Sequence, residues 1–185
     1  MGIIQFAKQI YVSRAQKKFI DTSNLRMWLQ QLRQGSISVD DFVSAYSSRD
    51  SRILEIFPSF DNVEGYRQYL LQQIHAGEKY DHSLGDIVNI DSLARHEEAH
   101  RNAAAKYGID SRYIFFDIST GEYGGMTVTT NLDQIAVGWD YKQFEKFWHD
   151  FVIAVHENPE FDVEHRGVTH YAHPIYAGEF APQFG

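Results

Sequence analysis

Up to Tyr107 the apolar residues of this chain recur at helical spacing. Past Gly108 they read as strand, and from Tyr141 the helical period returns. Those two changes of period predict an α+β fold. It should have a mostly helical amino-terminal half, a small antiparallel sheet at about residues 112–139, then a helix and an extended tail. Asp21, Thr22 and Ser23 offer caps for a helix through Leu32, ended by Gly35. Ser38 caps the next helix, on which Phe42 and Tyr46 lie one turn apart. Val63 to Ala76 carries Tyr66, Leu70 and Ile74 on one stripe, with Gly77 as its stop. Residues 77–89 read as loop. Asp91 or Ser92 then caps a helix to about Tyr107, closed by Gly108. Residues 113–118, 126–130 and 135–139 are predicted strands, and Tyr141 to His156 is a helix with Phe144, Phe147, Trp148, Phe151 and Val155 inward.

A chain of 185 residues, 43% hydrophobic, is enough for one compact domain and short for two. The single domain 1–185 carries two arms. Residues 1–33 hold Lys8, Arg14, Lys17, Lys18, Arg26 and Arg33 against Asp21, a net +5 that leaves −13 for the rest of a chain whose total is −8. Such an acidic body excludes general nucleic-acid binding. The basic arm reads as a docking element or a solvated amphipathic helix. The other arm, 158–185, sets Tyr171, Tyr176, Phe180 and Phe184 in a Gly/Pro-containing stretch that cannot bury them alone. They need a surface, on this domain or on a partner, so an oligomer or larger complex is expected. No apolar run approaches the ~20 residues of a membrane helix. Neither a secretory signal nor a cysteine is present, and a cytoplasmic protein is expected.

Without cysteine, any transition metal must be held by His, Asp or Glu. One pentapeptide offers this: His96-Glu97-Glu98-Ala99-His100. Residues four apart share a helix face, so His96 and His100 can grip one zinc ion while Glu97 works on a zinc-bound water. Other patterns fail. The EF-hand-like run ending at Gly35 and Ile37 puts Gln30, Leu32 and Gln34 where acids are needed. Neither a phosphate loop nor a Gly-x-Ser-x-Gly nucleophile setting occurs.

The pentapeptide resembles the H-E-x-x-H signature of the zincin metallopeptidases, over those five residues only. The chain departs from that family in carrying Glu98 and Arg101 within and just after the motif, and in placing its β-rich part after the motif helix. The resemblance implies a small zinc-dependent peptidase with His96 and His100 as ligands, Glu97 as base, and a third ligand. Glu145 is the leading candidate for it, on a stripe with His149, Val152 and His156. Asp110 is a second, although it follows a helix end about 10 Å beyond His100 at ~1.5 Å per residue. The cluster His165, His170 and His173 is a third. The alternative is a non-enzymatic structural or interaction subunit, docking on partners through its arms, with His96 and His100 as hydrogen-bonded core residues.

Overall fold

The protein is described by a computed structural model over residues 23–76, 84–119 and 122–157. The chain is an α+β fold, helices leading into a three-stranded antiparallel sheet and then helix again. Helix α1 (Ser23–Arg33) ends in a turn where Gly35 takes φ +68, a backbone open to glycine at little cost. Helix α2 (Val39–Ile56) begins at a reciprocal cap. Asp41 N donates to Ser38 Oγ at 3.1 Å, and Ser38 N donates to the Asp41 carboxylate at 3.1 Å. Helix α3 (Val63–Ala76) is started by Asn62, whose Oδ1 accepts from Gly65 N at 2.7 Å.

Helix α4 (Leu84–Ala105) carries the pentapeptide and starts earlier than the capping residues predict. Leu84, Ile87 and Val88 extend the helical period ahead of Leu93. Asp91 and Ser92 are only weakly unfavourable inside a helix, so a longer apolar pattern overrides them. Residues 84–89 of the predicted 77–89 loop are therefore helix, and 77–83 lie outside the described residues.

Strands β1 (Ser59–Phe60), β2 (Ser111–Ser119) and β3 (Glu122–Thr129) pair in that order. Ser59 pairs with Ile114, Tyr113 with Thr127 and Ser111 with Thr129. The predicted strand at 135–139 does not form. Residues 132–135 are a single helical turn, α5 (Leu132–Ile135). Ala136 N donates to Leu132 O at 2.9 Å, Trp139 N donates to Ala136 O at 3.0 Å, and Gly138 takes φ +72. Backbone groups satisfied locally have nothing left for a ladder. The third strand is Ser59–Phe60, two residues just after Pro58, too short to show a period.

Helix α6 (Tyr141–Trp148) is capped by Asp140 and Gln143. It runs through a π turn, His149–Ile153, into α7 (Ala154–Glu157). The main core lies between α1, α2 and α6, where Phe42 meets Phe144 edge-on at 4.9 Å and Phe147 stacks on Phe151 at 5.2 Å. A second cluster joins Tyr66, Leu93, Ala94 and Tyr113, and a third joins Ile53, Phe57, Ile114, Met126 and Val128. Asp50 ties α2 to β3, accepting from Thr129 N at 2.8 Å and Thr129 Oγ1 at 2.9 Å while Arg49 pairs with it at 3.2 Å. Helix α4 touches α3, both long strands, the π turn and α7. Among the described residues no helix is long and apolar enough to cross a membrane. Residues 1–22 of the basic arm and all of the arm at 158–185 lie outside the described residues.

Candidate metal centre

The buried stripe of α4 runs Leu93, Ala94, His96, Glu97, His100, Ala103, Ala104. The ends are apolar and the middle is not. His96 and Glu97 are each 3% exposed and His100 is 1%. A helix face that buries three polar side chains must supply each with a partner, because an unsatisfied buried polar group costs about 1–3 kcal/mol.

His100 finds one across the π turn. Its Nδ1 donates to the Phe151 carbonyl oxygen at 2.5 Å. A carbonyl can only accept, so Nδ1 carries the proton and the Nε2 of the neutral ring carries a lone pair. That nitrogen lies 3.1 Å from His96 Nε2, the two rings meeting near right angles with centroids 4.7 Å apart. Two arrangements satisfy this pair. His96 Nε2–H donates to the lone pair of His100, or both lone pairs face one cation. Zinc–nitrogen bonds of 2.0–2.1 Å at two corners of a tetrahedron set the nitrogens about 3.3 Å apart, so the 3.1 Å separation is close to that of two zinc ligands.

Glu97 turns toward the sheet. Thr127 Oγ1 donates to Glu97 Oε2 at 2.8 Å and lies 2.9 Å from the Glu97 carbonyl oxygen. Burial pushes the Glu97 carboxyl up to about 7, against the lowering effect of the Thr127 hydrogen bonds. Its floor is Gly125, opposite which any Cβ would stand 3.2 Å from Glu97 Cγ and 3.3 Å from Oε1, and would overlap the Tyr66 hydroxyl.

The other candidates sit elsewhere. Glu145, on α6, faces Tyr141: burial, then the Glu145 carboxylate, raises the Tyr141 hydroxyl, and Arg33 opposes that. His149 is on the exposed side of the π turn with Nδ1 3.3 Å from Asp150 Oδ1. Asp110 is exposed and accepts from Asn131 Nδ2 at 3.3 Å. Among the described residues no three His, Asp or Glu side chains come together as a set able to hold a metal. The structure thus joins His96 to His100, and none of Glu145, His149 and Asp110 completes a metal-holding set with them. His165, His170 and His173 lie outside the described residues.

Three groups at the site are not foreseen from the sequence: the Phe151 carbonyl, Thr127 and Gly125. A backbone carbonyl leaves no trace in residue type. A glycine inside a strand does signal a close approach of other atoms, but Gly124-Gly125 beside Ser119-Thr120-Gly121 reads as turn. Comparison of the chain with protein-family models, with characterised proteins and with solved structures finds no match.

Proposed function

We propose that the chain is a zinc-dependent hydrolase acting on peptides, with His96 and His100 holding the ion and Glu97 as the base. The observation that supports it most directly is the convergence of the two Nε2 atoms to 3.1 Å on a buried helix face, with His100 oriented by a backbone carbonyl. When bound, zinc would supply Lewis-acid polarisation of a carbonyl and a more acidic water. Glu97, next in sequence to the first ligand, would be the base, its carboxylate receiving a proton from water. Thr127 holds Oε2, so the proton would go to Oε1, which lies beside Gly125. A third ligand would come from Glu145, Asp110 or one of His165, His170 and His173; Glu145 faces Tyr141 and Asp110 accepts from Asn131.

A second reading is favoured by one observation. The His96–His100 contact and the Thr127–Glu97 bond satisfy these groups as they stand. On that reading the chain is a structural or interaction subunit and the stripe is a polar core.

Metal content of the purified full chain separates the two. About one zinc per chain, lost in His96→Ala/His100→Ala, supports the hydrolase. Glu97→Gln should then keep its zinc and lose peptide hydrolysis by about 10²–10⁴-fold. No zinc after incubation with the ion at neutral pH, or activity unchanged in Glu97→Gln, overturns the assignment.

A further inference from the structure

The helix after the sheet is not uniform. Ala154 N donates to His149 O, five residues back, so the turn between them holds one residue more than an α turn. Such insertions are rare, and they concentrate where a function needs backbone groups out of register. Phe151 lies inside this turn, and its carbonyl reaches a side chain on another helix, His100 Nδ1 at 2.5 Å. The Phe151 ring packs against the same imidazole, centroids 5.6 Å apart. On the outer side the turn is pinned by Asp150, which accepts from Tyr107 Oη at 2.5 Å and Lys146 Nζ at 2.8 Å. Tyr107 closes the end of α4, so the same two segments are tied twice, once through the imidazole and once through this surface cluster.

We infer that the π turn at His149–Ile153 is a positioning device for His100: it aims the Phe151 carbonyl at Nδ1 and so fixes Nε2 as the lone-pair nitrogen facing His96. In a regular α turn each carbonyl points along the axis toward the N–H four residues on, not sideways at a neighbour. One extra residue shifts donors against acceptors and turns a carbonyl outward. The tautomer is the product. With the proton on Nε2, His100 would have no lone pair on the nitrogen facing His96, and no ion could be held between the two Nε2 atoms. This positioning role for metal binding rests on the zinc reading above; the tautomer itself does not.

Two measurements test it on the full chain. In the metal-free wild type, nitrogen-15 NMR of the imidazoles should show His100 Nδ1 protonated and Nε2 bare. The reverse tautomer, or a mixture of both, overturns the inference. Deletion of His149, an exposed residue, restores an α turn and should release the tautomer. It should also weaken zinc binding, read by competition with a chromophoric chelator, about 10–100-fold. A cooperative thermal transition shows that this variant folds. An unchanged tautomer in the folded deletion overturns the role of the turn, and if the deletion does not fold, the wild-type tautomer decides. The expected tautomer in a wild type that binds no zinc leaves the positioning of the ring standing and refutes the metal reading alone.

Discussion

Gly125 has no room for a side chain. A Cβ there would overlap the hydroxyl of Tyr66, which is wholly buried and whose ring stacks on Tyr113 at 5.5 Å with 17° between planes. A ring so held cannot swing away. Gly125→Ala should destabilise the fold by about 1–3 kcal/mol, the usual range for overpacking, measured by urea denaturation. A variant as stable as the wild type would show that the close approach is relaxed in solution. Asp50 offers a pH-dependent case. Burial pushes its carboxyl from 3.8 up to about 6, against Arg49 and the Thr129 hydrogen bonds that lower it. The folded chain then keeps a proton that the unfolded chain loses, so Asp50 contributes stability that is complete below about pH 4 and gone above about pH 6. Tyr46, raised by burial and by Asp50, stays neutral across that window. The shift corresponds to on the order of 3 kcal/mol. Asp50→Asn cannot titrate. The stability of the wild type relative to this variant should fall between about pH 4 and pH 6 by that order, and Glu97, common to both, cancels. A difference flat with pH would refute it.

The elements that the sequence makes plain are those whose signal is local. Ser38 with Asp41 marks the start of α2. Gly35 and Gly108, at φ +68 and +74, mark where α1 and α4 stop, and Phe144, Phe147, Trp148 and Phe151 mark the inward face of the last helix. Elements set by tertiary contact are not legible in this way. The β1 pairing is two residues long, and only β2 makes it a strand. Val137 alternates like a strand residue, yet it is 73% exposed in a turn closed by Gly138. The π turn leaves the apolar pattern of 141–155 almost unchanged, so nothing in residue type separates it from α-helix. Within the site, the imidazole pair was legible because four-residue spacing is a property of one helix, whereas Thr127 and the Phe151 carbonyl come from a strand and a helix distant in sequence. Local signals also make testable elements. Ser38→Ala removes the oxygen that accepts from Asp41 N and should cost about 1 kcal/mol in thermal or urea unfolding. Ser38→Gly should cost less, only a few tenths of a kcal/mol. A Ser38→Ala variant as stable as the wild type would mean that the cap bond adds nothing.

At the scale of the whole molecule, the site and the fold share one element. Helix α4 is flanked by α3, the sheet and the π turn, and its buried residues meet all three core clusters or their neighbours. An ion bound to the folded chain and not to the unfolded one adds RT ln(1 + [L]/Kd) to stability, about 2.7 kcal/mol at a hundredfold excess over Kd. Zinc should therefore raise the midpoint of thermal unfolding of the wild type and leave that of His96→Ala/His100→Ala where it is. Equal shifts in both would place the binding elsewhere.

A centre set midway along such a helix has no private motion. Where a loop-borne site can open by itself, His96, Glu97, His100, Ala103 and Ala104 are buried on a helix packed against α3, the sheet and the π turn, and exchange of their amides with deuterated solvent should be among the slowest in the chain. An ion held between those imidazoles would then leave slowly, and its residence time would report how often this part of the fold opens.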